Sequence, residues 1–236
     1  MKYLIQTING KVKHDFSFTL LESIDFQKWL RNDNSIEVLF TDKKTLPNCI
    51  PIGSVEFVSK YISDYYGIIP KPINIPTELI GENWTGRTVI NGTEKDILGE
   101  KFVKSNDKIK SFTEICKIAP EGNYQISDLI DIESEWRAFV YEGKLVGLQN
   151  YSGEFDIFPN VEKIKAMINA YKTQPIAFTL DVAISKNSTV IIEIHDFFSC
   201  GLYGFSEHKI LPFMFSKWFF SFVRGQKKNI ANEITH

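Results

Sequence analysis

The chain has 236 residues, of which 43% are hydrophobic and 24% are charged. This length and composition are typical of a globular protein that can bury a proper core in one large domain or two small ones. The net charge of −2 argues against a general nucleic-acid binder, because neutralising phosphates requires a basic surface.

The cysteines and the apolar runs indicate the cellular compartment in which the protein is expected. Cys49, Cys116 and Cys200 are few and widely spaced, which predicts neither a disulfide framework nor a zinc site and favours the reducing cytoplasm. The N-terminal apolar run is interrupted by polar residues and predicts a strand, not a signal peptide. The aromatic run Ile210–Val223 is shorter than the about 20 apolar residues that span a bilayer. It predicts a buried helix, and no membrane partner is expected.

Residues 1–76 are predicted to form a small α/β domain. Asn9-Gly10 is a strong hairpin turn, and a helix is expected where apolar residues recur at helical spacing behind Ser54. The proline-rich segment Gly67–Pro76 excludes helix and predicts an extended connector or domain boundary. The predicted elements are strands at Lys2–Ile8, Lys13–Leu20 and Ile36–Phe40, and helices at Ser23–Leu30 and Ser54–Tyr66.

Residues 77–225 are predicted to form a second domain built on an antiparallel sheet. Asn91-Gly92 and Glu142-Gly143 are the expected turns, and Val161–Tyr171 is an expected helix with one apolar side. Residues 226–236 are expected to be a frayed polar tail. The predicted strands are Arg87–Ile90, Lys101–Lys104, Tyr124–Leu129, Trp136–Tyr141 and Lys144–Gln149.

Two β-branched runs between Ala177 and Asp196 predict a further hairpin, with Lys186-Asn187-Ser188 as its loop. If Ser185 pairs with Thr189, Asp181 lies opposite Glu193 and Thr179 lies opposite His195. The apolar residues that then share the other face are Leu180, Val182, Ile184, Val190, Ile192 and Ile194. Two opposed carboxylates about 5 Å apart at Cβ require a cation, for which a divalent metal is the obvious candidate. A solvated acidic pair is the open alternative.

The second half also carries cations on or beside neighbouring strands. Arg87, Lys104, Lys110 and Arg137, together with the carboxylate pair, are suited to a polyphosphate and its metal. Solvated lysines, and pairing of Arg137 with Glu133 or Glu135, are the competing interpretations. The chain has no G-x-x-x-x-G-K-[ST] loop and no G-x-G-x-x-G turn, which disfavours the two commonest nucleotide folds.

A set of motifs occurs in order along the chain: Pro51–Val58, F-V-K-S (Phe102–Ser105), I-S-D-L-I-D-I-E-S-E-W-R-A-F-V (Ile126–Val140), L-D-V-A (Leu180–Ala183), I-I-E-I-H-D (Ile191–Asp196) and the overlapping Glu193–Gly204. This order resembles the ATP-grasp superfamily, and most closely its clade named for two arginines and a lysine. The resemblance covers most of the chain from Pro51 to Phe205. It implies an α+β ATP-grasp fold, in which the small N-terminal domain precedes an antiparallel-sheet, nucleotide-binding domain.

The resemblance also implies a role for each motif residue. Lys104 and Lys110 would bind the phosphates of ATP. Arg87 and Arg137 would be catalytic: Arg87 stands where many relatives use an earlier lysine, and Arg137 would contact the γ-phosphate or the acyl phosphate. The backbone of Asp128, Leu129 and Ile130 would bind adenine, and Asp131, Glu133 or Glu135, with Glu135 preferred, would reach the ribose. Asp181, Glu193 and His195 would hold Mg²⁺.

The implied activity is an ATP- and Mg²⁺-dependent ligase that joins a small-molecule or peptide carboxylate to an amine through an acyl phosphate. Two features depart from the family pattern: the loop Ser105–Glu114 lacks glycine, and His195 stands where asparagine is usual. They motivate a second hypothesis, a nucleotide-binding or protein-interaction module without turnover; a purely structural protein ranks third. No nucleic-acid partner is expected. A homodimer is compatible with the sequence, which leaves the oligomeric state open.

Overall fold

The structure, a computed structural model, describes residues 1–32, 34–43, 45–109 and 111–234, with side chains up to residue 225. Its helices and strands are β1 (Lys2–Gln6), α1 (Asp15–Arg31), β2 (Glu37–Thr41), β3 (Ile50–Ile52), α2 (Val55–Tyr66), α3 (Glu82–Thr85), β4 (Val89–Thr93), β5 (Lys101–Ser105), β6 (Thr113–Cys116), β7 (Asn123–Ser127), β8 (Ser134–Tyr141), β9 (Lys144–Gly153), α4 (Val161–Ala170), β10 (Ala177–Ser185), β11 (Ser188–Asp196) and α5 (Leu211–Ile234). The predicted α+β class is confirmed.

The chain forms two compact units that differ in extent from the predicted domains. The first unit contains Met1–Ile69, Pro175–Ala177 and the chain from Phe197 onward, and the second contains Pro70–Gln174 and Phe178–Asp196. The segment from Phe197 onward therefore belongs to the same compact unit as the N-terminal part of the chain. One contact within the first unit is the hydroxyl of Tyr3, which donates to the carbonyl of Pro212 at 2.7 Å.

The first unit is built on a three-stranded parallel sheet of order β2-β1-β3. The prediction of a strand at Lys13–Leu20 was wrong, because this segment begins the long helix α1. Phe16, Leu20 and Ile24 are buried at intervals of four residues, which is helical spacing. A helix is also what parallel β1 and β2 require, since a tight hairpin turn joins only antiparallel strands.

Helix α5 extends into the predicted polar tail and ends at Ile234. Its first turns bury Leu211, Phe215 and Phe219. Because these packed turns form the nucleus of the helix, each following residue extends it by one hydrogen bond without a further nucleation cost in free energy. Among the described helices, none combines the length and apolar character needed to cross a bilayer.

The second unit contains two four-stranded sheets, β4-β7-β5-β6 and β11-β10-β8-β9. The expected turn at Asn91-Gly92 was wrong: both residues lie inside β4, where they pair with Gln125 and Tyr124 of β7. Strand β6, which was not predicted, pairs with β5. The segment around Asn74, expected to be a connector, is held by both sheets. The carbonyl of Asn74 accepts from the N–H of Ile194 at 2.8 Å, and the side-chain amide of Asn74 donates to the carbonyl of Ser105 at 3.1 Å.

The hairpin of β10 and β11 has the predicted pairing at its centre, although it reaches that pairing by a different path. Asp181 lies opposite Glu193, but Ser185 pairs with Ser188 across a two-residue turn. A bulge between Asp181 and Val182 shifts the register by one residue and compensates for the shorter turn.

The bulge also changes which apolar residues of β11 face the core. Ile191 is fully buried in the core cluster of the second unit, which also includes Leu180 and Val182. Ile192, the predicted core residue, is only half-buried. The prediction for this face was therefore wrong at Ile192, because the extra residue on β11 reverses the alternation of side chains beyond it.

Candidate functional site

The two sheets of the second unit bring together charged residues that are far apart in the sequence. Lys104 lies on β5 of one sheet, and Arg137, Asp181 and Glu193 lie on β8, β10 and β11 of the other. Lys104 forms an ion pair with Glu193, which links the two sheets through their charged side chains.

Arg137 and Asp181 form a buried, two-point ion pair. The Nε and Nη2 atoms of Arg137 donate to Oδ1 and Oδ2 of Asp181 at 2.8 and 2.7 Å. Only 7% of Arg137 and 2% of Asp181 are exposed. This planar geometry is the strongest arrangement for an arginine and a carboxylate. This contact with Asp181 was not predicted from the sequence.

Glu193 lies between an ammonium group and an imidazole ring. Its Oε2 atom contacts Nζ of Lys104, and its Oε1 atom contacts Nε2 of His195. Burial lowers the pKa of Lys104 to about 8, while the Asp181 carboxylate opposes the decrease. The positive charges of Arg87 and Arg137 add to the decrease. Lys104 therefore belongs to a compact group of buried and half-buried charges and not to a solvated surface.

Arg87 precedes β4 and has a fixed position. Its Nη1 atom donates to the carbonyls of Thr85 and Ile191, both at 3.0 Å. Ile191 adjoins the β-bulge, so Arg87 satisfies a carbonyl where the ladder is irregular. Burial lowers its pKa to about 10, and the Asp128 carboxylate opposes this change. The structure therefore gives Arg87 a role in holding the backbone near the charged group.

Glu135 is connected to the same group through Tyr151, a residue that the sequence did not identify. The Tyr151 hydroxyl donates to Oε2 of Glu135 at 2.8 Å, and its ring centroid lies 5.7 Å from Cζ of Arg137. Burial is the main cause of a strongly raised pKa for Tyr151, so this hydroxyl stays protonated and acts as a donor. The predicted strand ended at Gln149, two residues too early to include Tyr151.

The residues predicted to bind adenine follow β7. The N–H of Asp128 donates to the carbonyl of Thr88 at 3.0 Å, and its carboxylate accepts from Lys101 at 2.5 Å. The hydrogen bond from Lys101 is the main cause of a lowered pKa for Asp128. Because its N–H is engaged, the adenine contact would fall mainly to Leu129 and Ile130. The remaining predicted phosphate ligand, Lys110, lies outside the described residues.

Asp181, Glu193 and His195 are arranged so that they could hold a metal ion. One ligand atom from each residue lies within 4.8 Å of the other two. Opposite ligands of an octahedral Mg²⁺ are about 4.2 Å apart, twice the usual bond length. A small movement of the side chains would therefore close the set around an ion. Two oxygen donors and one nitrogen donor fit a divalent cation in chemical type, although Mg²⁺ itself favours oxygen.

Thr179 is a second residue of interest whose role the sequence did not reveal. It is fully buried, and its hydroxyl has no hydrogen-bond partner among the described residues. It pairs with His195 and lies two residues before Asp181, so it shares the face of the proposed metal ligands. The sequence had already predicted that Thr179 lies opposite His195, but it assigned no role to Thr179. Buried unsatisfied hydroxyls are rare in proteins, and one on this face indicates a missing polar partner.

Replacing Thr179 by valine is expected to stabilise the protein by about 1 kcal/mol when no ligand is added, because the unsatisfied hydroxyl is removed without a change of shape. Urea unfolding measures the change. The matched control is Thr85→Val, which removes a buried hydroxyl whose oxygen lies 2.6 Å from the carbonyl of Arg87, to which it donates, and 3.0 Å from the carbonyl of Gly81. That variant should be destabilised by about 1 kcal/mol. Equal losses in both variants would show that Thr179 already has a partner.

A cavity of about 390 Å³ lies elsewhere in the second unit, beside the start of α4 and the turn of the hairpin. Phe158, Lys163, Ile184 and Asn187 are among its lining residues. Ile184 is an odd number of residues from Asp181 on β10 and therefore points to the other face of the strand. The cavity is thus separate from the charged group.

Comparison with known families gives a match to the ATP-grasp domain, R2K clade family 2, over residues 84–212. These residues include all the described residues of the charged group. Comparison with curated proteins gave no match in sequence.

Solved structures share the fold at low identity. A RimK domain ATP-grasp protein from Sphaerobacter thermophilus is 10% identical over 93% of this chain and 100% of its own, with a TM-score of 0.58. D-alanine–D-alanine ligase from Bacillus anthracis is 10% identical over 95% of this chain and 98% of its own, with a TM-score of 0.54. The same ligase complexed with ATP is 12% identical over 97% of this chain and 98% of its own, with a TM-score of 0.53. These similarities confirm the predicted ATP-grasp fold.

Proposed function

Because this chain belongs to the ATP-grasp domains of R2K clade family 2, we propose that it is an ATP- and Mg²⁺-dependent ligase that joins a carboxylate to an amine. The observation that carries this proposal is the group of buried charges around Lys104, Arg137, Asp181 and Glu193, which combines cations for phosphate with carboxylates for a metal. The substrates would be small molecules or peptides that offer a carboxylate and an amine.

In this reaction a substrate carboxylate oxygen attacks the γ-phosphorus of ATP, the bond to the β-phosphate oxygen breaks, and ADP leaves. The acyl phosphate then reacts with the amine, which forms the C–N bond, loses a proton and releases phosphate. Bound divalent metal would neutralise phosphate charge during the transfer. The protein itself would contribute mainly positioning and charge, since phosphoryl transfer needs little covalent help.

Lys104 and Arg137 can bind phosphate while they keep their carboxylate partners. The Lys104 ammonium has three N–H donors and contacts Glu193, and Arg137 has five donors, of which Asp181 takes two. Asp181 and Glu193 likewise have further lone pairs for a metal. Arg87 would act by holding the backbone at Ile191, beside the metal ligands, and by adding positive charge near the phosphates.

Glu135 is proposed as the residue that reaches the ribose, with Tyr151 holding its carboxylate in place. Leu129 and Ile130 are proposed for adenine, and Lys110 for the phosphates. The three cysteines are free thiols, which is consistent with the proposed cytoplasmic location.

The test of this proposal uses purified full-length protein. Calorimetry measures binding of Mg²⁺-ATP, and an ADP-release assay with mixed amino acids and dipeptides measures turnover. Hydroxylamine added as the amine should trap the acyl phosphate as a hydroxamate. Asp181→Asn and Glu193→Gln should each lose binding and turnover, whereas Asp156→Asn, which changes an exposed carboxylate of the same unit, should keep both. Unchanged binding and turnover in the first two variants would refute the metal assignment.

The alternative function is a nucleotide-binding or protein-interaction module without turnover. The observations that favour it are the loop Ser105–Glu114, which lacks glycine, and His195, which stands where asparagine is usual. Tight binding of Mg²⁺-ATP with no ADP release and no hydroxamate, over a broad set of carboxylates and amines, would support the module.

A further inference from the structure

His195 gives the proposed metal position a nitrogen donor. Its Nε2 atom contacts Oε1 of Glu193, while the other oxygen of the same carboxylate contacts Lys104. A metal ion between Nε2 and Oε1 would take the place of the hydrogen atom that these two atoms share. It would leave the contact between Oε2 and Lys104 intact. The ion can therefore be bound without breaking the ion pair that joins the two sheets.

Asp181 can complete this position without losing Arg137. Each of its oxygens accepts one hydrogen bond from the guanidinium, at 2.8 and 2.7 Å, and an ionised carboxylate has about four acceptor positions. Asp181 is buried, and His195 is partly exposed, with 31% of its side chain accessible. An ion from solvent can thus reach the imidazole first and then the two carboxylates.

The unsatisfied hydroxyl of Thr179 independently indicates a ligand on this face. It is fully buried beside His195 in the strand pairing, with no hydrogen-bond partner among the described residues. A water molecule bound to the ion would give this hydroxyl an acceptor or a donor. Ordered water that bridges otherwise unsatisfied buried groups is a normal part of protein interiors.

The donor set is better suited to a transition metal than to Mg²⁺. Mg²⁺ requires oxygen ligands in near-octahedral geometry and gives up water reluctantly. Imidazole nitrogen suits first-row transition metals, and the affinity of a mixed nitrogen and oxygen site rises from Mn²⁺ to Cu²⁺. We infer that Asp181, Glu193 and His195 select a first-row transition-metal divalent cation, such as Mn²⁺, over Mg²⁺. The metal preference follows from the donor set, and this inference rests on the proposed function only in assuming that ATP also binds the ion.

The test compares Mn²⁺ and Mg²⁺ binding to the full chain, with and without a non-hydrolysable ATP analogue. Calorimetry gives both affinities, and pulsed electron paramagnetic resonance of Mn²⁺ detects a coordinated ¹⁴N nucleus. The wild type should bind Mn²⁺ more than about tenfold tighter than Mg²⁺ and show the nitrogen signal. His195→Asn, which offers an amide oxygen, should weaken Mn²⁺ by about tenfold and lose the signal, with Mg²⁺ affinity changed by less than about threefold. His14→Asn, which changes a histidine of the first unit, should behave as the wild type.

The outcomes separate this inference from the proposed function. An equal ratio of Mn²⁺ to Mg²⁺ affinity in the wild type and His195→Asn, or a Mn²⁺ spectrum without ¹⁴N coupling, would overturn the inference even if the ATP analogue binds. Nitrogen-coupled Mn²⁺ that is lost in His195→Asn, in a protein that binds no ATP analogue, would support the metal position and refute the ligase. A protein that binds neither Mn²⁺, nor Mg²⁺, nor the ATP analogue would overturn both this inference and the proposed function.

Discussion

Replacing Lys104 by methionine is expected to reduce ATP turnover by about 10²- to 10³-fold, the usual effect of removing one preorganised donor from a developing charge. Methionine keeps much of the length of the side chain and removes only the ammonium group. The ADP-release assay measures the loss, and calorimetry should show weaker binding of Mg²⁺-ATP with little change in the binding of adenosine. Adenosine lacks the phosphates that Lys104 would contact.

The matched control for this variant is Lys117→Met, which removes an exposed lysine from the same unit. Its turnover and nucleotide affinity should equal those of the wild type, because exposed charges are screened by salt and water. Thermal unfolding of both variants verifies that any loss of activity occurs in folded protein. If Lys104→Met and Lys117→Met bind Mg²⁺-ATP equally well, Lys104 is not a phosphate ligand.

Replacing Arg137 by methionine is expected to destabilise the protein by about 3 to 5 kcal/mol, because it leaves the Asp181 carboxylate buried without its cation. Only 2% of Asp181 is exposed, so water cannot replace the two hydrogen bonds that the guanidinium donates. Urea unfolding, followed by circular dichroism, measures the change.

Two further variants show that this loss comes from the unpaired charge. The double variant Arg137→Met with Asp181→Leu should recover most of the stability, since apolar replacement of a buried pair is often neutral. Lys60→Met removes one partner of the exposed pair with Asp64, at 2.9 Å, and should leave the unfolding midpoint unchanged. A single variant Arg137→Met that is as stable as the wild type would mean that Asp181 does not depend on this arginine.

Much of the fold follows from local patterns, but some of these patterns were misleading. The spacing of apolar residues located α2, α4 and most strands of the second unit, although β6 was not predicted. The Asn91-Gly92 pair, a strong turn signal by itself, lies inside β4 because Asn91 and Gly92 pair with β7. The predicted strand at Lys13–Leu20 failed because the parallel sheet requires a helical crossover, and the residues of α1 supply a helical spacing of apolar groups.

The sequence by itself determined the ATP-grasp family, since its motifs occur in order along the chain. It also predicted that Asp181 faces Glu193, although from a turn that the structure does not contain. Only the tertiary structure decided the partners of these carboxylates, Arg137 for Asp181 and Lys104 for Glu193. The order of strands in the sheet places β8 beside β10, and β5 belongs to the other sheet. Because these strands are far apart in the sequence, the spacing of residues along the chain cannot predict either contact. The bulge that restores the register of the hairpin was likewise found only in the structure, where Ile191 is buried in the core and Ile192 is half-buried.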